Sequence, residues 1–104
     1  MTTYDVEISV VFGAAMSPGE FADVVDALSD AASEVAGGID ADVSGGFRDQ
    51  TLALHFTLDD ESDEQAFARA TSAARTVIRA SGAPATDWRQ ITMRHAHAAE
   101  FTAV

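Results

Sequence analysis

The chain carries the same folding instruction twice. Ser17-Pro18-Gly19-Glu20 and Ser62-Asp63-Glu64-Gln65 stand forty-five residues apart. A serine followed three residues later by Glu or Gln is the pattern of a capping box. The serine hydroxyl closes the helix N-terminus, and the later side chain returns a hydrogen bond to the cap. Each box follows an alternating run and precedes a second one. The pattern predicts a strand–helix–strand unit written twice.

Periodicity supplies the elements. Tyr4, Val6, Ile8, Val10 and Phe12 alternate with Asp5, Glu7, Ser9 and Val11, as a half-buried strand requires. Pro18 sits at the first helical position, where its missing N–H costs nothing. Phe21, Val24, Val25, Leu28, Ala32 and Val35 then recur at helical spacing, and Gly37-Gly38 is the expected stop. A weaker strand over 41–47 turns Ala41, Val43 and Phe47 inward, with Gly45-Gly46 marking a bulge or an edge strand. After a turn at Arg48-Asp49-Gln50, Leu52, Leu54, Phe56 and Leu58 form the clearest apolar face. The second helix is expected to bury Phe67, Ala70, Thr71, Ala74, Val77 and Ile78, with Gly82 and Pro84 ending it. A last strand begins near Trp88 and turns Ile91 and Met93 to the core.

Every strand has one apolar face, so both helices must cover the same side of an antiparallel sheet. The predicted class is α+β: a ferredoxin-like βαββαβ sandwich with strand order 4-1-3-2. Its length of 104 residues suits one domain. The core is expected over about 4–95, with 96–104 as a C-terminal extension whose Phe101 and Val104 require burial, supplied by a partner subunit.

Charge narrows the partners. The net charge is −11, and residues 1–47 hold nine acids and no base, while 48–104 hold eight acids and six arginines. Nucleic acids and anionic membranes call for clustered basic residues, so both are disfavoured. There is no cysteine, which excludes disulfide and thiolate metal sites. Met1–Asp5 shows neither the basic nor the apolar region of a secretory leader, and a cytoplasmic location is expected.

Alternation leaves an open sheet face of Asp5, Glu7, Ser9, Val11, Asp42, Ser44, Ala53, His55, Thr57, Gln90, Thr92 and Arg94. No outward aromatic on the central strands offers a stacking platform, which argues against RNA. The face is either solvated surface or a dimer interface. His95 and His97 have the spacing of a strand chelate, but they share the parity of Ile91 and Met93, opposite to His55. No metal or cofactor is therefore expected. The acids Asp59, Asp60, Glu61, Asp63 and Glu64 are read as favourable charges at a helix N-terminus. Asp23, Asp26, Asp30 and Glu34 form an acidic stripe on the first helix, partly paired across to Arg69, Arg75 and Arg79 or free to dock a basic protein partner.

Ser17-Pro18-Gly19-Glu20-Phe21, followed by Gly37-Gly38-Ile39-Asp40, resembles the pattern of ACT regulatory domains. The resemblance covers most of residues 4–95. It implies the same βαββαβ order and a homodimer that binds an amino acid or similar small ligand near Gly13–Gly19. Ser17 stands where those domains usually carry an acid. The expected function is a small, non-enzymatic, self-associating binding or regulatory module. Its candidate ligand residues are Gly13, Ser17, Gly19, His55 and Arg94. Two alternatives stand beside it. One is a small enzyme of the dimeric α/β-barrel type, with Trp88, His55, Gln90, Thr92 and Arg94 lining its open face. The other is an adaptor that uses the acidic stripe of the first helix.

Overall fold

The computed structural model describes residues 2–12, 16–35, 38–46, 51–82 and 86–95. The elements run β1 (Thr2–Phe12), α1 (Pro18–Ser33), β2 (Asp40–Gly46), β3 (Thr51–Asp60), α2 (Asp63–Ser81) and β4 (Thr86–His95). The strands form one antiparallel sheet in the order β2-β3-β1-β4, which is the ferredoxin-like arrangement. In this split βαβ pattern, each helix connects two strands that have a third strand between them.

The core is the helix-facing side of the two central strands. Tyr4, Val6, Ile8 and Val10 of β1 meet Leu52, Leu54, Phe56 and Leu58 of β3, all buried. Register makes this possible: Val6 lies opposite Phe56 and Ile8 opposite Leu54. Burying side chains of this size contributes roughly 1.5–3 kcal/mol each. Helix α2 lies over β3 and β1, and α1 packs on β2 and on α2. From α1, Phe21, Leu28 and Ala32 are buried; Val24 and Val25, with Val35 just beyond the helix, pack at the margin.

Both helices start where expected. At α1 the box is complete: Ser17 Oγ accepts from the Glu20 N–H at 3.2 Å, and the Ser17 N–H donates to Glu20 Oε1 at 3.3 Å. At α2 the Ser62 hydroxyl accepts from the Gln65 N–H, but no return bond from the Gln65 side chain is described. Gly82 ends α2 in the left-handed region, at φ 70°.

Three expectations are corrected. Helix α1 ends at Ser33 with Glu34 as its cap, ahead of Gly37-Gly38; Gly38 is left-handed at φ 74°, but in the following connection. Phe67 is 42% exposed: Ala66, Ala70, Ala73, Ala74 and Val77 make the buried face of α2, and Phe67 lies at its margin. Trp88 lies on the helix side of the sheet. The register shifts between Ser9, opposite Gln90, and Val10, opposite Trp88, so Arg89 is an extra residue that resets the alternation. Gly45-Gly46 proves to be edge strand with continuous register, since β2 pairs only with β3. Phe47, Pro84 and the 48–50 turn lie outside the described residues, as do residues 96–104.

Candidate functional site on the open sheet face

The face opposite the helices is ordered into rows by strand register. One row reads Asp40, Thr57, Asp5 and Arg94 across β2-β3-β1-β4, and the next reads Asp42, His55, Glu7 and Thr92. Side chains directly opposite on neighbouring strands stand about 5 Å apart, so each row is a set of interacting groups. Thr57 Oγ1 donates to Asp5 Oδ1 at 3.1 Å, and His55 Nε2 lies 3.3 Å from Ser44 Oγ. A concavity of about 250 Å³ opens here, lined by Asp5, Glu7, His55, Thr57, Thr92 and Arg94. A second, of about 310 Å³, adjoins it toward Ser9, Ser44 and Ala53.

Of the residues singled out from the sequence, His55 and Arg94 fall in this concavity. Ser17 and Gly19 do not. Ser17 is committed to capping α1, and Gly19 lies in its first turn with open space around the Cβ position. Gly13 lies outside the described residues. Trp88, expected on this face, stacks instead beneath the Arg75 guanidinium, 5.4 Å from the ring centroid, on the helix side. Alternation alone places Asp5, Glu7, Thr57 and Thr92 on this face; their convergence with His55 and Arg94 follows from strand order and register.

His95 lies on the other side of the sheet from His55. Its ring stands edge-on to Tyr4, 5.1 Å between centroids, and its Nε2 is 3.4 Å from Asp63 Oδ1. The Tyr4 hydroxyl donates to the same oxygen at 2.9 Å. That bond to a carboxylate, reinforced by burial, raises the Tyr4 pKa. His97 lies outside the described residues. Among the described residues no three His, Asp or Glu side chains converge as a metal site.

The acids after β3 disperse to different partners. Asp59 accepts from Thr3, Asp60 from Arg69 and the Glu61 N–H, and Asp63 from Tyr4. Asp63 and Glu64 occupy the first turn of α2, as their charge favours. Arg69 reaches Asp60 and the Asp59 carbonyl on β3, and Arg75 covers Trp88. Asp23, Asp26, Asp30 and Glu34 stay exposed.

A larger groove, about 580 Å³, separates the helices; Ala31, Val35, Ile39, Ala68, Ser72 and Thr76 contribute to it. Small residues four apart on α2 leave it open, a spacing visible in the sequence. Its walls are mainly apolar; among the described residues Glu34 and Arg69 are the charged groups that line it, and Arg69 reaches Asp60. The open sheet face is where hydroxyls, carboxylates, an imidazole and a guanidinium meet. Comparison with protein-family models, curated proteins and solved structures found no match to the chain. No helix among the described residues is long and apolar enough to cross a membrane.

Proposed function

We propose that the protein is a small, non-enzymatic, cytoplasmic binding module whose ligand seat is the open face of its sheet. The ligand is a compact molecule carrying a protonated amine. One observation carries this reading: Asp5, Glu7, His55, Thr57, Thr92 and Arg94 line a single concavity of about 250 Å³. Binding seats characteristically combine a concave shape with a few convergent polar groups. Asp5 and Glu7, two residues apart on one face of β1, take the ammonium group. Thr57, Thr92 and His55 take its polar substituents, and Arg94 stands at the β4 rim. The net charge of −11 favours such a cation over an anionic ligand. The resemblance to ACT domains supports the same class of role, a small-ligand module, although at a different place in the fold.

One contact favours catalysis, the 3.3 Å approach of Ser44 Oγ to His55 Nε2. A nucleophilic serine also needs a third group to orient the base, and donors for the oxyanion. The described contacts supply neither, and binding is the better-supported reading.

A ligand small enough for a 250 Å³ seat is expected to bind with a Kd on the order of 0.1–1 mM. The test is an NMR titration with small primary amines, amino acids and simple carboxylates. Amine-bearing compounds should shift the His55, Thr57 and Thr92 resonances, and Asp5→Asn with Glu7→Gln should weaken them about tenfold. Equal responses to carboxylates, or none to any compound at several millimolar, would sink the reading.

A further inference from the structure

Resting on the reading that the open face is the functional surface, we propose that its macromolecular partner is a second copy of the chain. The two sheets stack face to face about a two-fold axis parallel to the strands, between β1 and β3. Such an axis lays β2 over the partner's β4 and β3 over the partner's β1, and it keeps each row at its own height.

The rows are complementary under that operation. Asp40 and Arg94 are the two ends of one row. In the pair, Arg94 faces Asp40 of the partner subunit, and the symmetry repeats the contact. In the next row, Glu7 faces the partner's His55 and Thr92 faces the partner's Asp42. Within these two rows no acid meets an acid. A two-fold axis perpendicular to the strands stacks β1 on β1 and β2 on β2: at the height of the second row it opposes Glu7 and Asp42 to their own copies, and midway between the two rows it opposes Glu7 to the partner's Asp5 and Asp42 to the partner's Asp40. Like charges opposed in this way are unfavourable, and the pattern selects the first operator.

Packed sheets keep their strand directions within about 30°, so opposed rows stay within reach of an arginine stem. Four strands at about 4.8 Å spacing, over the levels at which β2 pairs with β3 (Asp40 to Gly46) at about 3.3 Å each, give roughly 450 Å² per subunit. The total of about 900 Å² falls below the roughly 1,200 Å² of stable specific interfaces, in the range of weak, transient ones. The expected assembly is a reversible dimer, weakened by salt because its defining pairs are charged.

Within one chain, Asp40 and Arg94 stand three strand spacings apart, about 14 Å, too far to pair directly. A double swap that restores dimerisation therefore reports a direct contact between copies. The test is sedimentation equilibrium on wild type, Asp40→Arg, Arg94→Asp and the double swap. Both residues are exposed, so folding is not at stake. Each single change should raise the dimer dissociation constant at least tenfold, and the double swap should return it to within about threefold of wild type. A wild-type chain that stays monomeric to millimolar concentration overturns the inference, as does a dimer indifferent to the single changes or a swap that fails to rescue. Asp40 is not among the residues lining the 250 Å³ concavity. The stacked sheets cover that concavity, so amine binding is read on monomeric Asp40→Arg: a monomer that binds amine supports the ligand reading, and a monomer that binds none at several millimolar fails that reading while leaving the dimer inference standing.

Discussion

Arg69 holds Asp60 at the end of β3, with Nη1 3.0 Å from Oδ2. Asp60 falls on the inward side of the strand and is only 7% exposed. Its carboxylate accepts from Arg69 and also from the Glu61 N–H at 2.8 Å. The Arg69 bond, followed by the backbone bond, lowers its pKa below the usual aspartate value. A carboxyl group with a lowered folded-state pKa stabilises the fold above the unfolded pKa, near 4, and loses that contribution as pH falls through the folded value. Wild type should therefore lose thermal stability steeply below about pH 4. Asp60→Asn should melt lower at pH 7 and show a flatter acid limb. Melting curves at pH 7 and pH 3 check this; parallel acid limbs would refute it.

Gly45 and Gly46 are adjacent on the edge strand but not equivalent. Gly45 lies opposite Leu52, and a Cβ there would run into the Leu52 Cδ2 methyl, with Phe21 Cζ and the Thr51 carbonyl close behind. At Gly46 a Cβ meets open space. Gly45→Ala should cost about 1–2 kcal/mol through forced repacking of Leu52. Gly46→Ala should be neutral or stabilise by up to about 1 kcal/mol, by restricting the unfolded chain. Urea titration of the two variants reads the difference.

The pair also marks how far the sequence could be read. Alternation named the buried residues of β1 and β3, and two hydroxyl caps located both helix starts, because those signals are local. The extra residue at Arg89 had no local signal. It arises from matching β4 to the register of β1, and it moved Trp88 across the sheet. Phe67 differs for a related reason: helical spacing puts it near the buried stripe, while the buried face of α2 is made by Ala66, Ala70, Ala73, Ala74 and Val77. The site was half legible. Alternation sorted His55 and Arg94 onto the open face, but only strand order brings them together around Asp5 and Glu7.

Phe67 supplies a direct test of that packing. At 42% exposure it leaves little surface to lose, whereas Phe56 is 1% exposed at the centre of the core. Phe56→Ala should cost about 3–5 kcal/mol. Phe67→Ala should cost less than about 1 kcal/mol. Equal losses in denaturant titration would mean that Phe67 is buried in solution.

Trp88 reports the bulge. The Arg75 guanidinium over its ring should contribute about 0.5–1 kcal/mol. Arg75→Ala should lower stability by that amount and shift tryptophan emission to longer wavelength, since the uncovered ring meets more water. Arg94→Ala, on the opposite face, should leave the emission unchanged. The chain has one tryptophan, so the signal is unambiguous. An emission change with Arg94→Ala and none with Arg75→Ala would place the ring on the open face.

The two helix starts differ in a way that mutation should expose. At α1 both halves of the box form, so Glu20 bonds the Ser17 N–H in addition to meeting the positive end of the helix. At α2 the Ser62 hydroxyl closes the turn, and Asp63 and Glu64 already supply the favourable charge. Removing either cap, Ser17→Ala or Ser62→Ala, should cost about 1 kcal/mol. The third residues should diverge. Glu20→Ala loses a hydrogen bond and a favourable charge, worth together about 0.5–1.5 kcal/mol. Gln65→Ala loses neither, and alanine has the higher helix propensity, so its stability should stay within about 0.5 kcal/mol of wild type. If Gln65→Ala proves as damaging as Glu20→Ala, the second box closes in solution after all, and the two halves of the chain are more alike than their described hydrogen bonds.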